Sequence, residues 1–441
     1  MLLLKGKLRL LIIFSLCTFA VQAEDLWDIY NLAKENDTQF LANTAQWQAS
    51  KETLNQNKAL IMPSVDLSAS VSGNRQKTRR PLASAGILDY DSEVYSISLI
   101  QPLYNSEYMA RIHQAQAIVD QADADFESAR LELMVRVAEK YFSVLSAGDN
   151  VAFAEAEKKA VERQLEQTQK RFEVGLIAIT DVHEAKARYD ITVAQEIAAR
   201  NDLADSYEAL YEITGQYHKQ ISILNDNVPL VTPEPKDING WTSIAMERNL
   251  SLISARKTLA AAEQEIKKQQ AGHYPSLSIV GNKSYSDKSN SSLGATNSET
   301  DSIGLQLDMS LFAGGKTSSL VRQSTFLKVK AQEEMEKQRR SALRQTREAY
   351  LGLNAAISRV NALKQALTSS ESALEATEAG FEVGTRTIVD VLLALREKYR
   401  AQRDYAQSRY DYVIETLHLK QAAGVLSDND IEMVNSWLVK K

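Results

Sequence analysis

Cysteine is almost missing from this 441-residue chain, and the one present, Cys17, lies within the first 23 residues. Those residues have the pattern of an export signal: a basic start, a short apolar run over residues 10–21, and small residues before a cleavage site at Ala23. The basic start consists of Lys5, Lys7 and Arg9. We expect residues 1–23 to be removed and the mature chain to begin at Glu24, without disulfides or thiol chemistry.

Long apolar runs are also missing, because no stretch after the signal reaches the roughly 20 residues that a membrane-crossing helix needs. Basic charge is in deficit: the net charge is −6, and removing the three basic residues of the signal makes it −9. An acidic chain without a basic patch argues against binding to nucleic acid. An exported chain of this kind either stays soluble or crosses the outer membrane as β-strands.

Residue patterns for chemistry are missing as well. The five histidines are scattered, and none has a second potential metal ligand four residues away. They are His113, His183, His218, His273 and His418, and we expect them to face solvent. No motif suggests a catalytic set, a cofactor site or a metal site, so the sequence predicts a protein that is not an enzyme.

What the sequence does contain is a duplication. Residues 171–175 recur, with small changes, as residues 380–384, and Ile179-Thr180-Asp181-Val182 recurs as Ile388-Val389-Asp390-Val391 at the same offset. Ordered matches at one offset predict two structural repeats, residues 24–227 and 241–441. The segment between them, residues 228–240, contains three prolines and predicts an extended linker.

Each repeat contains two segments in which apolar and polar residues alternate. They are residues 65–73 and 94–104 in the first repeat, and 276–285 and 302–312 in the second. Period two gives a strand one apolar and one polar face, and each run is close to the 9–11 residues that a tilted strand needs to cross a bilayer. The polar stretches between them, residues 73–93 and 285–301, predict long hairpin loops.

Taken alone, these strands also fit a soluble sheet with one face in water. The Ser, Gly, Gln and Asp of the polar face and the long loops favour strands around a wet lumen. Four strands cannot close a membrane barrel, since the smallest have about eight, and an open edge is not tolerated in lipid. The membrane interpretation therefore predicts an oligomer.

The rest of the chain predicts helices, two of them very long. The predicted helices are residues 26–61, 105–173, 180–216, 241–271, 314–382 and 388–424. Residues 105–173 contain no proline, and at about 1.5 Å per residue they would extend about 100 Å. The last helix has a coiled-coil-like seam with steps of three or four. Its members are Ile388, Val391, Leu395, Tyr399, Gln402, Ala406, Tyr410, Val413 and Leu417.

The motifs at the two turns between long helices resemble those of the TolC family of outer-membrane efflux and secretion channel proteins. They are RFEVGLIAITDV at residues 171–182 and VGTRTIVDVL at residues 383–392, and the likeness covers essentially the whole mature chain. The resemblance implies a mainly α fold with β. A long α-helical coiled-coil barrel would continue a trimeric outer-membrane β-barrel of 12 strands, four from each chain.

The resemblance also implies a function and partners. Family members are passive exit ducts for tripartite efflux pumps or type I protein secretion, and substrates pass them unchanged. We expect a homotrimer in outer-membrane lipid whose periplasmic gate opens when a periplasmic adaptor and an inner-membrane pump, of the drug-efflux or ABC type, dock. The alternatives are a trimeric surface adhesin or structural coiled coil, and a soluble periplasmic scaffold. An adhesin would carry one strand set at its C-terminus, whereas here both halves contain strands.

The resemblance assigns a latch to the turns. In the family a basic residue of the second turn bonds a Thr-Asp pair of the first turn and holds the entrance shut. The matching residues are Arg386, Thr180 and Asp181. The family often has Tyr, also bonded to that Asp, where this chain has Phe381, so one hydroxyl of the latch is missing.

The resemblance further assigns a pore constriction and a docking surface. The family can line its entrance with two Asp rings; Asp390 matches the first, and Leu393 replaces the second. Asp390 would also suit the start of a helix, where a carboxylate faces the positive end of the dipole. The turn residues expected to contact the adaptor are Val174, Gly175, Leu176, Val383, Gly384 and Thr385.

Overall fold

The computed structural model describes residues 23–78, 86–289 and 294–439. The expected export signal, including Cys17, lies outside these residues except for Ala23. The first half contains α1 (Leu26–Asn36), α2 (Thr38–Ala59), β1 (Ser64–Thr78), β2 (Gly86–Tyr104), α3 (Ser106–Glu173), α4 (Ile179–Thr214) and the short β3 (Ile223–Leu224). The second contains α5 (Ile238–Arg248), α6 (Leu250–Gln270), β4 (Ser276–Ser289), β5 (Thr296–Asp308), α7 (Lys316–Glu382), α8 (Ile388–Ala423), α9 (Asp428–Asn435) and β6 (Leu438–Val439).

The first helical segment of each half is two helices rather than the single helix expected. Asp37 ends α1 and caps α2, because its side chain accepts the Phe40 N–H at 2.6 Å. Asn249 does the same between α5 and α6, where it accepts the Leu252 N–H at 3.0 Å. Short Asp and Asn side chains compete with the helical hydrogen bonds, so they end one helix and begin the next. The same break in both halves is a further sign of the duplication.

The four long strands form one antiparallel sheet in the order β1-β2-β4-β5. Its register places apolar residues opposite one another, as in Leu67 opposite Ile97, and small polar residues on the other face, as in Ser68 opposite Ser96. The two serine hydroxyls lie 2.7 Å apart. The apolar face is exposed within the chain, with Leu67 at 76% and Ile303 at 82%. This face therefore needs a partner from outside the chain, such as lipid.

The strand ends differ from the prediction. The ladder continues into the segments expected to be loops, to Thr78 and Ser289, because hydrogen-bonded pairing does not need an apolar face. Cross-strand ion pairs support this extension, for example Arg75 Nε to Asp89 Oδ1 at 2.8 Å. At the other end, β5 stops at Asp308 and not at residue 312. The partner strand there begins at Ser276, directly after Pro275, which has no N–H to donate.

The apolar band crosses the sheet diagonally. Val65, Leu99, Gly281 and Ile303 share one row of the register. On β1 the apolar residues run from this row away from the long helices, towards Val71, whereas on β5 they run from the row towards the helices. A band that is level in a membrane must cross the strands in this way when the strands are tilted, as they are in barrels.

The long helices continue from the sheet. Helix α3 has 68 residues and α7 has 67, so each extends about 100 Å at about 1.5 Å per residue. Helices α3 and α4 form one hairpin, α7 and α8 form a second, and α8 also packs against α3. The predicted seam of α8 is buried apart from Gln402, which is only partly so. Within the described part of the chain, we find no helix that is both long and apolar enough to span a membrane.

Among the residues described, buried apolar side chains form two separate cores. The larger joins the chain ends to the middle of the long helices: β3 pairs with β6, Glu24 bridges Ile221, and the hydroxyl of Tyr141 donates to Ser222 O at 2.6 Å. The smaller, which we call the tip core, lies near the turns of both hairpins. Its members are Val161, Ala185, Leu374, Phe381, Ile388, Val391, Leu392, Leu395 and Tyr399.

The prediction that all five histidines face solvent is wrong for two of them, His218 and His418. His218 is buried in the larger core, where its ring contacts Thr214 Oγ1 at 2.9 Å and the carboxylate of Glu24. His418 is half-buried, and its Nε2 lies 3.0 Å from Glu139 Oε1 on α3. Each ring contacts a glutamate far away in the sequence, Glu24 for His218 and Glu139 for His418, so local residue spacing could not indicate these contacts.

Candidate functional site

The two hairpin turns have the same backbone geometry. Each long helix ends in a glycine with positive φ, Gly175 at 77° and Gly384 at 78°. The residue after each glycine donates its N–H to the carbonyl five residues earlier, at 2.9 Å in the first turn and 2.8 Å in the second. This is the Schellman arrangement, in which the left-handed residue favours glycine because it has no Cβ. The repeated RFEVG-type motif therefore encodes a helix end.

Apolar side chains project from both turns. Val174, Leu176 and Val383 are 70%, 72% and 76% exposed. A group of exposed apolar residues at one end of a molecule is typical of an interaction surface. These three residues are among those that the resemblance assigns to adaptor docking, which stays a prediction.

The helices that follow the turns begin differently in the two halves. In α8, Thr387 and Asp390 form a capping box: Thr387 Oγ1 accepts the Asp390 N–H at 3.2 Å, and Asp390 Oδ2 accepts the Thr387 N–H and hydroxyl, each at 2.9 Å. These bonds hold the pKa of the Asp390 carboxyl below its usual range. In α4 the N-cap is Ala178, which makes no side-chain cap. The helix-start role of Asp390 is therefore present, and the pore-lining role stays a prediction.

The three latch residues do not meet within one chain. Among the residues that the structure describes, Asp181 accepts no side-chain hydrogen bond and Arg386 forms no ion pair. Asp181 matches Asp390 in the repeat, but without a threonine at its N-cap its carboxylate is not used by the helix start. Thr180 and Arg386 are both exposed. This geometry leaves all three groups able to bond a neighbouring chain.

Gly380 positions Arg386 at the second turn. A Cβ at Gly380 would lie 2.7 Å from Arg386 Cγ, so the arginine stem folds over the last turn of α7 where a side chain is missing. The Arg386 N–H donates to the Gly380 carbonyl at 3.2 Å. The residue of the first half that matches Gly380 in the repeat is Arg171, and the side chain of Arg171 contacts Phe381 instead.

Phe381 belongs to the tip core and is 8% exposed. The guanidinium of Arg171, from the end of α3, lies over its ring at 4.4 Å from the centroid. A cation over an aromatic face is attracted by the ring quadrupole. Where the family often has a tyrosine hydroxyl, this chain therefore has a stacked arginine that joins its two hairpins.

The two predicted pore residues follow each other on α8, one turn apart. The Asp390 side chain is partly buried beside Thr387, and Leu393 is 45% exposed. Leu393 lies outside the tip core although its neighbours Val391, Leu392 and Leu395 belong to it. An exposed leucine next to a packed seam marks a second face of α8, which the single chain leaves uncovered.

One charged group in this region was not predicted from the sequence. Glu157 of α3 is 1% exposed, and its carboxylate is bonded by Arg188 of α4 and Arg403 of α8. A signal was present: Ala154, Glu157 and Val161 follow the three- and four-residue spacing of the buried stripe of α3. A charge at a core position of a helix predicts buried partners. Among the described residues, no group of His, Cys, Asp or Glu is arranged to hold a metal ion.

Comparison with known proteins agrees with this architecture. A family model described as outer membrane efflux protein matches residues 29–216 and 241–425, one range within each predicted repeat. The chain belongs to the outer membrane efflux protein family. The outer membrane protein TolC of Vibrio cholerae serotype O1 is 42% identical over 425 residues, or 95% of each chain. The alkaline protease secretion protein AprF of Pseudomonas aeruginosa is 30% identical over 415 residues, 93% of this chain and 86% of AprF.

A solved structure shows the same fold. The outer membrane protein VceC from Vibrio cholerae superposes with a TM-score of 0.77 at 20% identity, over 90% of this chain and 96% of VceC. The resemblance drawn from the turn motifs and the predicted combination of long helices with a membrane sheet are confirmed. As a member of the outer membrane efflux protein family, the chain is an outer-membrane protein.

Proposed function

We propose that three copies of this chain form an exit duct of an efflux pump or type I secretion system, which passes substrates unchanged across the periplasm and outer membrane. The observation that carries this proposal is the sheet: its apolar face is exposed, and its outer strands β1 and β5 are paired on one side only. Open edges are not tolerated in lipid, so copies must pair β5 with β1. Three copies would supply the 12 strands that the resemblance implies.

The turns would form the inner entrance of this duct. Among the described residues, the side chains of Asp181, Thr180 and Arg386 form no hydrogen bond or ion pair, which supports a latch between neighbouring copies. Charge-assisted bonds of this kind contribute roughly 1.5–3 kcal/mol each. The apolar turn residues Val174, Leu176 and Val383 would contact a periplasmic adaptor, whose docking with an inner-membrane pump opens the latch.

The comparisons support both functions, because the matching family is named for efflux and one relative, AprF, is named for protease secretion. An adhesin with one C-terminal strand set is disfavoured, since the four long strands come equally from the two halves. A soluble periplasmic scaffold would leave the apolar face of the sheet in water.

A pair of adjacent substitutions on β5 tests the proposal. Leu305→Asp places a charge on the apolar face, whereas Gln306→Asp places the same charge on the polar face. We expect Leu305→Asp to reduce detergent-resistant trimer in outer membranes and Gln306→Asp to leave it intact, because charges on a lipid face destabilise barrels. The purified trimer should conduct ions in planar bilayers. Equal assembly of both variants, or a wild-type chain that is monomeric in plain buffer, would contradict the duct.

A further inference from the structure

The buried carboxylate of Glu157 divides its two oxygens between two helices. Arg188 Nη2 of α4 donates to Oε1 at 2.6 Å, and Arg403 Nη1 of α8 donates to Oε2 at 3.0 Å. The Glu157 side chain is 2% exposed, and those of Arg188 and Arg403 are 15% and 29% exposed. The bond to Arg188 lies within the first hairpin, whereas the bond to Arg403 joins the first hairpin to the second.

This group lies directly beside the tip core, on the side away from the turns. Glu157 is four residues from Val161 on α3, and Arg403 is four residues from Tyr399 on α8; both neighbours belong to the tip core. Glu157 is 16 residues from the end of α3 at Glu173, or about 24 Å along the helix. The tip core is thus bounded by this charged group at one end and by Arg171 over Phe381 at the other.

Any opening of the entrance must separate hairpins at the turns. Nearer the sheet, α8 is held to α3 by the larger core and by further polar contacts, for example from the hydroxyl of Tyr410 to Asp149 at 2.6 Å. The contact between Glu157 and Arg403 resists separation of the helices, because displacing α8 breaks a charge-assisted hydrogen bond in a site with little water. Displacement of α8 would therefore begin between this group and the turns.

We propose that Glu157 is a positioning residue: through Arg403 it pins the second hairpin (α7 and α8) to the first (α3 and α4). The pin opposes opening and confines it to the last quarter of the long helices. This inference rests on the proposed function, since it needs an entrance that opens at the turns. Of the two bonds that Glu157 makes, only the bond to Arg403 joins the two hairpins, so the proposal depends on that bond.

Two arginine substitutions separate a pin from a general structural role. Arg403→Gln breaks the bond between hairpins and Arg188→Gln breaks the bond within one hairpin; each leaves Glu157 with one arginine, so neither strands the buried charge. Each substitution is made in the wild-type chain and in the Asp181→Ala variant. We expect Asp181→Ala to loosen the latch, so that more channel openings can be recorded. Single-channel recording gives the ratio of open to closed time, and thermal unfolding of the trimer gives stability.

We expect Arg403→Gln to raise the open-to-closed ratio roughly tenfold, the factor that about 1.4 kcal/mol represents, and Arg188→Gln to change it less than about twofold. If Arg403→Gln and Arg188→Gln change the open-to-closed ratio equally, or lower the melting temperature without changing that ratio, Glu157 is not a pin between the hairpins. Neither result would contradict a gate at the turns. If Asp181→Ala itself has no effect on conductance, the gate fails, and the pin fails with it. Glu157→Asp, with a shorter side chain that keeps the charge, should fall between wild type and Arg403→Gln.

Discussion

Arg171 and Phe381 join the two halves of the chain at the tip, with the guanidinium carbon 4.4 Å from the centre of the ring. Arg171 ends α3, and Phe381 lies in the last turn of α7. Their positions in the repeat are one residue apart: Phe172 matches Phe381, and Arg171 matches Gly380. The contact thus uses a difference between the repeats. An arginine in one half reaches across to the aromatic residue of the other, where glycine leaves room for Arg386.

This contact predicts an energetic coupling between the hairpins. Arg171→Leu keeps an apolar stem but removes the cation, and we expect the trimer to lose about 0.5–2 kcal/mol of stability. Phe381→Leu should lose more, because it also leaves space in the tip core. A double-mutant cycle measured by denaturant unfolding should give a coupling energy of about 0.5 kcal/mol or more. Lys170→Leu, at an exposed neighbouring position, is the control and should be close to neutral.

The latch predicts larger conductance in two variants. Arg386→Ser and Asp181→Ala should each loosen the closed entrance, because a charge-assisted bond contributes roughly 1.5–3 kcal/mol. Single-channel conductance should rise while the trimer remains intact. Glu184→Ala on the exposed side of α4 is the matched control. Wild-type conductance in both latch variants would mean that the turns are not the gate.

The substitution Phe381→Tyr restores the hydroxyl that the latch of this chain lacks. Phe381→Tyr should tighten the closed state by about 0.5–1.5 kcal/mol if the new hydroxyl reaches Asp181, as it does in the family. The measurement is the open-to-closed ratio of single channels, with and without Asp181→Ala. A tightening that persists when Asp181 is removed would show that the hydroxyl acts elsewhere, for example on Arg171.

His418 predicts a pH dependence of known sign. Its hydrogen bond with Glu139 raises the pKa of the His418 imidazole, with Glu415 adding to the effect and burial opposing it. A group with a raised pKa in the folded state contributes stability that is complete below the unfolded pKa of about 6.5 and is lost as the pH rises through the folded pKa. His418→Gln should therefore lower the melting temperature at about pH 5.5 more than at about pH 8.5. His113→Gln, at an exposed position on α3, is the control variant.

Periodic features of this chain were predictable, and single-residue features were not. The seam of α8 repeats over about eight turns. Eight of its nine predicted members are buried, and Gln402 is partly buried. The breaks at Asp37 and Asn249 depend on one side chain each, which a periodic pattern does not reveal. The strands run past their apolar segments because main-chain pairing continues under polar residues.

Long-range contacts were the least predictable part of the site. Arg171 and Phe381 are 210 residues apart, and no spacing rule connects them. Glu157 did carry a signal, as a charge within the apolar stripe of α3, but Arg188 and Arg403 could be identified only once the helices were packed. Asp181 and Arg386 could be matched to a family motif, whereas the predicted bond between them would require a second chain.

The entrance should bind cations through Asp390. Three Asp390 carboxylates around one axis would concentrate negative charge, and the hydrogen bonds with Thr387 hold the pKa of each carboxyl below its usual range. Asp390→Ala should weaken block by a trivalent cation, on the order of tenfold if the ring contributes about 1.4 kcal/mol to its binding. Leu393→Asp adds a second ring one turn away and should strengthen block. The measurement is titration of the blocker against single channels from each side of a planar bilayer.

Because Asp390 also caps α8, a loss of block in Asp390→Ala has two explanations, and Thr387→Ala separates them. This variant removes the hydroxyl of the capping box but keeps the charge of the ring. If Asp390 acts on cations directly, Thr387→Ala should cost about 1 kcal/mol of helix stability and leave the blocking concentration nearly unchanged. If Thr387→Ala weakens block as much as Asp390→Ala does, the carboxylate acts through the helix start and does not face the pore. Leu393→Asp decides the remaining case, since a carboxylate on the exposed face of α8 can strengthen block only if that face lines the pore.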